Sequence, residues 1–237
     1  MLKKRLFRMI ALFLLVVLLG NGVWIESVYQ AKEQARRAMQ GTKQVSVSSV
    51  KEGYLFDGPG SERALVFYPG ALIEETAYAP LLLRIAERGT DCFLLHMPFR
   101  MALLNINAAE KLTAKYNYSE WIIGGHSLGG VAASRYAIGH PDQTKTLLLL
   151  ASYPDQTVPD TVPIISVYGT EDHILNRQAY EISRAGWPEN AREYILKGGN
   201  HAQFGDYGEQ SGDGAAKISP EQQWDKTADF VRFRSRE

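Results

Sequence analysis

Hydrophobic residues along this chain of 237 residues fall into short runs separated by longer segments with helical spacing. The runs ALVFYPG, DCFLLHMP, WIIGG, TLLLLA and PIISVYG are each bounded by glycine, proline or polar residues. Continuous apolar runs of this length are typical of parallel strands that are covered on both faces. TKQVSVSSV alternates valine with polar residues, GYLFDGPG is a short strand before a turn, and REYILKGG is the last predicted strand.

Helical spacing appears between these runs, in TAYAPLLLRIAERG, NINAAEKLTAKY, LGGVAASRYAIG and LNRQAYEISRAG, and SPEQQWDKTADFVRFRS is predicted as a closing helix. Strands that alternate with helices require right-handed crossovers and an open sheet. The pattern therefore predicts an α/β fold with a doubly wound, mostly parallel sheet and helices on both faces. Only SYPDQTVPDTV separates the sixth and seventh predicted strands, which is too short for a large cap domain.

The first 25 residues have a different composition from the rest of the chain. MLKKRLFR is basic, and the following MIALFLLVVLLGNGVWI is apolar except for Asn21. This order is typical of a signal peptide or a signal anchor, and the missing A-x-A cleavage pattern favours an uncleaved transmembrane anchor. The basic flank predicts that the rest of the chain lies on the extracytoplasmic side of the membrane. Secretion after cleavage is the alternative.

The segment after the anchor, residues 26–41, is polar, rich in helix formers and ends in glycine. It predicts a helical stalk or linker, or else a first helix packed on the following domain. No internal repeat, low-complexity tract or second core is visible beyond it. Residues 42–237 are therefore expected to form a single domain.

Composition narrows the classes of partner and cofactor. Lysine and arginine total 26, as do aspartate and glutamate, so the formal net charge is zero and a nucleic-acid partner is not expected. The single cysteine, Cys92, excludes an intramolecular disulfide and a multi-cysteine zinc site. No motif indicates a metal site, a phosphate cradle or a nucleotide fingerprint, so no cofactor is predicted, and the oligomeric state is left open.

One stretch between a predicted strand and a predicted helix carries candidate chemistry. GGHSLGG contains a G-x-S-x-G motif centred on Ser127, with Gly125 and Gly129 on either side. A serine on such a tight turn needs small neighbours, because a side chain at either glycine would collide with nearby backbone. The turn lies at the carboxyl edge of the sheet, where open α/β folds bind ligands. The motif alone is weak evidence, so the chain must also supply an acid and a base.

A base and an acid follow at later strand ends. His201 lies in the glycine-rich KGGNHAQFG after the last predicted strand, whereas the side chain of His126 should diverge from the neighbouring serine. Asp172 lies in YGTEDHIL after the strand PIISVYG, with Glu171 as the second choice. A hydroxyl needs a base to take its proton, and the base needs an orienting partner. Ser127, Asp172 and His201 follow the chain order expected for this topology.

At these motifs the chain resembles the α/β-hydrolase superfamily, and most closely small lidless bacterial serine hydrolases of the dienelactone-hydrolase-like group. FYPGA, GGHSLGG, YGTEDHI and GGNHAQF carry the resemblance, which covers residues 42–234. It implies that the domain is catalytic, with Ser127 as nucleophile, His201 as general base and then acid, and Asp172 as the orienting residue. Members of that group often have cysteine as nucleophile, so the lactone chemistry does not carry over to this serine.

The oxyanion hole of such an enzyme needs two N–H donors. We expect one from Leu128, directly after the nucleophile, and one from Ala71 in the loop after the ALVFY strand, where Gly70 and Leu72 are the neighbouring choices. No residue is assigned to substrate binding. Side chains that could line the pocket are His96, Phe99, Arg100, Phe204 and Tyr207.

Three functions are compatible with these residues. The leading hypothesis is a carboxylesterase-like serine hydrolase that acts on an ester or related acyl bond of a small molecule through an acyl-enzyme. The second is an acyltransferase that uses the same three residues, and the sequence does not separate it from hydrolysis. The third is a surface binding protein without catalysis, which the intact Ser-His-Asp set disfavours.

Overall fold

The computed structural model describes residues 28–232, and the predicted membrane anchor, residues 1–25, lies outside this range. Within the described range, no helix has the length and apolar character needed to cross a membrane. Eight strands form one sheet: β1 (Ser46–Val50), β2 (Gly53–Asp57), β3 (Arg63–Tyr68), β4 (Asp91–Leu95), β5 (Glu120–His126), β6 (Thr146–Leu150), β7 (Ile164–Gly169) and β8 (Arg192–Leu196).

The strand order across the sheet is β1-β2-β4-β3-β5-β6-β7-β8. The pairs β1–β2 and β2–β4 are antiparallel, and all other neighbours run parallel. The described α-helices are α1 (Glu33–Ala38), α2 (Ala79–Glu87), α3 (Ala108–Thr113), α4 (Leu128–Gly139), α5 (Arg177–Arg184) and α6 (Pro220–Arg232). The predicted fold class, a doubly wound and mostly parallel sheet without a large cap, is confirmed.

Successive residues of the central strands point into different hydrophobic clusters. On β3, Leu65 packs in a cluster with α1, α2 and α6, whereas Val66 packs in a cluster with α3 and α4. Side chains of a strand alternate between the two faces, and here helices cover both faces, so β3 is hydrophobic from Ala64 to Tyr68, after Arg63 at its start. This explains why the sequence shows continuous hydrophobic runs instead of alternation. Because the helices cover the two faces, a site can form at the carboxyl edge of the sheet.

The segment around α1 lies against the domain in the structure. The Tyr29 N–H donates to the Leu72 carbonyl at 2.8 Å, and the Glu74 N–H donates to the Tyr29 carbonyl at 2.9 Å. Ala35 and Ala38 of α1 are buried in the hydrophobic cluster that contains α2. The chain from residue 28 onward is therefore attached to the loop after β3.

Candidate active site

Ser127 lies on the turn between β5 and α4, in a backbone conformation that only strong local constraints maintain. Its φ is 53° and its ψ is −125°, outside the regions that L-residues normally adopt. The Ser127 N–H donates to the Leu150 carbonyl at 3.0 Å, and the Ser152 hydroxyl donates to the Ser127 carbonyl at 2.7 Å. Both contacts come from the end of β6 and the residues after it, so the neighbouring strand supports the turn.

The two glycines that flank the serine have no room for a side chain. A Cβ atom on Gly125 would lie 2.5 Å from the carbonyl carbon and oxygen of Gly129. A Cβ atom on Gly129 would lie 2.2 Å from the Tyr68 carbonyl oxygen and 2.4 Å from that of Pro69. Backbone atoms cannot move away as a flexible side chain can. The steric reason for glycine that the motif implies is therefore present in the structure.

Asp172 and His201 lie together in a buried contact at the carboxyl edge of the sheet. The Asp172 Oδ2 atom is 3.0 Å from His201 Nδ1, and both side chains are almost completely buried. The other carboxylate oxygen, Oδ1, accepts the N–H groups of Ile174 and Leu175 at 2.9 and 2.8 Å. These bonds hold the carboxylate in one orientation. His201 Nε2 is buried and has no hydrogen-bond partner among the described residues.

The remaining candidates for acid and base occupy other environments. The Glu171 carboxylate is 2.9 Å from Lys217 Nζ, and the hydrogen bond with this lysine lowers the pKa of the glutamate. His126 is fully buried, and its pKa is lowered well below the ordinary value by burial and then by the nearby His201. The ring centroids of His126 and His201 are 4.5 Å apart. Since β5 ends at His126, this contact brings His201 to the strand end that carries Ser127.

The N–H groups of Leu128 and Ala71 make no hydrogen bond with any described residue. Leu128 is the first residue of α4, where an N–H has no partner within the helix. On the other loop, the Gly70 N–H donates to the Tyr78 hydroxyl at 3.0 Å and the Leu72 N–H donates to the Arg100 carbonyl at 3.0 Å. Ala71 is therefore left as the free donor between two occupied ones.

Backbone strain is concentrated around this edge of the sheet. The non-glycine residues with positive φ in the described range lie on the segments that follow β3, β4, β5 and β6, and they are Leu72, Phe99, Arg100, Ser127 and Ala151. Strained residues of this kind cluster at functional sites because the surrounding structure must hold them in place.

The prediction that Phe204 and Tyr207 line the pocket is wrong. Both rings are buried in the hydrophobic cluster under α1 and α6, at 0% and 4% exposure. They anchor the loop after His201, whose Asp213 accepts the Ala202 N–H at 2.9 Å. Phe99, by contrast, is 73% exposed on the segment after β4.

The sequence did not indicate two residues that support the turn and the loop. In the sequence, Ser152 lies in the connection after TLLLLA and Tyr78 lies at the start of a predicted helix. The Ser152 hydroxyl donates to the Ser127 carbonyl, whereas the Tyr78 hydroxyl contacts both the Gly70 N–H and His126 Nδ1. No local motif marks these contacts, because Ser127 and His126 come from another strand end and Gly70 lies eight positions before Tyr78.

The strand order of the sheet is typical of an α/β hydrolase. So are the serine on a strained strand-to-helix turn and the buried aspartate–histidine contact at the same edge. The family model described as "Alpha/beta hydrolase family" matches residues 64–225, well over half of the chain. The chain belongs to this family, and the protein is a hydrolase. No curated protein matches the sequence.

Solved structures with the same fold include a protein described as a predicted CIB-like hydrolase from Thermoplasma acidophilum, at 14% identity and a TM-score of 0.59, over 80% of this chain and 99% of that one. Est1E from Butyrivibrio proteoclasticus is 15% identical with a TM-score of 0.54, over 80% of this chain and 98% of that one. The carboxylesterase CesB from Bacillus subtilis is 11% identical with a TM-score of 0.50, over 71% and 88%. At these identities the likeness establishes the fold alone.

Proposed function

We propose that this protein is a serine hydrolase that cleaves an ester or related acyl bond of a small molecule through an acyl-enzyme. Ser127 is the nucleophile, His201 the general base and then acid, and Asp172 the residue that orients the histidine. The observation that carries the proposal is the buried Asp172–His201 contact at the strand end that bears the strained Ser127. The carboxylesterase found among proteins of the same fold is consistent with it.

In the first half of the reaction, the Ser127 hydroxyl attacks the acyl carbon while His201 Nε2 takes its proton. The Asp172 carboxylate accepts the Nδ1–H of His201 at 3.0 Å, which leaves Nε2 unprotonated and stabilises the imidazolium that forms. The negative charge on the acyl oxygen is bound by the free N–H groups of Leu128 and Ala71. His201 then gives its proton to the departing alcohol, and the acyl group stays on Ser127.

In the second half, a water molecule takes the place of the alcohol. His201 removes a proton from the water as its oxygen attacks the acyl carbon, and the same two N–H groups bind the oxyanion again. Return of the proton to Ser127 releases the acid and restores the enzyme. The connection between β6 and β7 has no helix in the described structure, so no helical cap from this connection covers the serine.

Labelling with a fluorophosphonate tests the nucleophile directly, because the reagent phosphonylates an activated serine and releases fluoride. We expect the full-length protein to be labelled and to hydrolyse p-nitrophenyl acetate. Tryptic peptide 116–135 contains Ser119, Ser127 and Ser134, so fragmentation of this peptide compares three serines within one molecule. An adduct on Ser119 or Ser134, or a protein that neither reacts nor hydrolyses any ester of a chain-length series, would contradict the proposal.

We also propose that residues 1–25 anchor the protein in the membrane with the catalytic domain on the extracytoplasmic side. The support is the basic MLKKRLFR followed by an apolar run. Protease added to intact cells should then degrade the domain while cytoplasmic control proteins stay whole. A domain that is protected until the cells are lysed would contradict this topology, and its recovery from the medium without residues 1–25 would indicate cleavage and secretion.

A further inference from the structure

A buried hydrogen-bond chain connects the loop of residues 69–74, called here the oxyanion loop because it carries Ala71, with the end of β5 that precedes Ser127. The Gly70 N–H donates to the Tyr78 hydroxyl at 3.0 Å, and this hydroxyl is 2.8 Å from His126 Nδ1. The side chains of Tyr78 and His126 are fully buried. Gly70 directly precedes Ala71, and His126 directly precedes Ser127. The chain therefore joins the neighbours of the proposed oxyanion donor and of the proposed nucleophile.

Burial favours the neutral form of both side chains of this pair. Burial raises the pKa of the Tyr78 hydroxyl far above its ordinary value. Burial, followed by the nearby His201, lowers the pKa of His126, and a smaller interaction with the His201 backbone acts in the opposite direction. The Tyr78 oxygen accepts the Gly70 N–H, so its own proton is available for His126 Nδ1, which is the acceptor within reach. A neutral His126 also adds no charge beside His201 when that ring becomes an imidazolium.

Gly70 packs so closely against Tyr78 and His126 that a side chain at this position would force the loop to move. A Cβ atom on Gly70 would lie 2.8 Å from the Tyr78 hydroxyl oxygen and 3.0 Å from His126 Nδ1. On the other side of Ala71, the Leu72 N–H is held by the Arg100 carbonyl at 3.0 Å. With the N–H groups of both neighbours bound, the Ala71 peptide has little freedom to rotate, and its N–H stays available.

We propose that Tyr78 and His126 are positioning residues that hold the Ala71 N–H in place for the oxyanion. The proposal rests on the serine-hydrolase function proposed above. An oxyanion donor contributes most when it is fixed before the reaction, because no free energy is then used to orient it in the transition state. The pair contacts neither the acyl carbon nor the leaving group in this scheme. It acts through Gly70 and the loop.

The substitution Tyr78→Phe tests the proposal because it removes one oxygen and keeps the ring. For p-nitrophenyl acetate we expect kcat to fall about 10- to 100-fold, less than the 10²- to 10³-fold typical of deleting an oxyanion donor. KM should stay within about twofold, since the contact matters mainly in the transition state. The rate of inactivation by the fluorophosphonate should fall as well, because its phosphoryl oxygen uses the same donors.

Tyr136→Phe is the matched control. Tyr136 is also fully buried, and its hydroxyl contacts Gln143 Oε1 at 3.3 Å on the α4 side of the sheet, within a different hydrophobic cluster. We expect this variant to lose thermal stability without a change in kcat. A Tyr78→Phe enzyme that matches Tyr136→Phe in both stability and kcat would overturn the proposal and leave Tyr78 with a structural role only.

A second pair of variants decides the matter if Tyr78→Phe does not fold. His126→Asn keeps an acceptor atom near the position of Nδ1, whereas His126→Leu removes it. We expect the asparagine variant to retain a higher kcat than the leucine variant at similar KM, and equal values in the two would overturn the inference. A wild-type protein that neither binds fluorophosphonate nor cleaves esters would instead overturn the serine-hydrolase function itself.

Discussion

Replacing Ser127 with alanine should lower kcat for ester hydrolysis on the order of 10⁶-fold, the loss seen when the nucleophile is removed from a serine protease. Without the hydroxyl no acyl-enzyme forms, and binding together with the two oxyanion N–H groups supports only a slow attack by water. Alanine also has a Cβ, so it bears about the same strain as serine at the positive φ of this turn. The change therefore removes the reacting oxygen and leaves the backbone strain nearly unchanged.

The measurement is steady-state hydrolysis of p-nitrophenyl acetate together with fluorophosphonate labelling of the same samples. Ser134→Ala is a suitable control, because Ser134 lies in the helix that starts after Ser127, and among the described residues its hydroxyl donates to the Val131 carbonyl alone. We expect the control to keep kcat within about twofold. If Ser127→Ala were still labelled and as active as the control, the nucleophile would have to be another residue.

Replacing Asp172 with asparagine should lower kcat about 10⁴-fold with little change in KM. The reason lies in the bonds to the two carboxylate oxygens. The Ile174 and Leu175 N–H groups require an acceptor at Oδ1, so the asparagine oxygen is held there and its NH₂ group is directed at His201 Nδ1. The histidine must then accept at Nδ1 and carry its proton on Nε2. In that tautomer it cannot take the proton of Ser127.

Glu171→Gln is the control for this experiment, since Glu171 was the second choice for the acid. Its carboxylate pairs with Lys217 and has no contact with His201 among the described residues. We expect its kcat to stay within about twofold of the wild-type value. The opposite result, an active Asp172→Asn and an inactive Glu171→Gln, would mean that the two carboxylates have been assigned the wrong way round.

The sequence was informative wherever a local pattern has one physical explanation. Continuous apolar runs such as TLLLL require cover on both faces, and the structure has helices on both. The glycines on either side of Ser127 imply a turn without space for a Cβ, and contacts of 2.2 to 2.5 Å would indeed result. The roles of Ser127, Asp172 and His201 stay predictions that the experiments above address.

Contacts between distant parts of the chain were not predictable in this way. Tyr78 and His126 are 48 positions apart, and nothing in either segment indicates that a hydroxyl and a ring nitrogen will meet. Phe204 and Tyr207 follow the candidate base, so a position in the pocket was expected for them. The Phe204 ring is instead buried 5.5 Å from the ring of His126, and the Tyr207 ring lies 5.5 Å from that of Tyr29, just before α1. The sequence of residues 26–41 left open whether α1 packs on the domain.

The hydrogen bonds between Tyr29 and the loop of Leu72 bear on where a shortened form of this enzyme should begin. A fragment that starts at residue 42, where the predicted domain begins, would leave the Leu72 carbonyl and the Glu74 N–H without their partners, one and three residues beyond Ala71. A fragment for assays should therefore begin at or before residue 28. For the same reason, tension on the chain ahead of Tyr29 would act on the loop of Leu72, which also carries Ala71, before it reached the strands of the sheet.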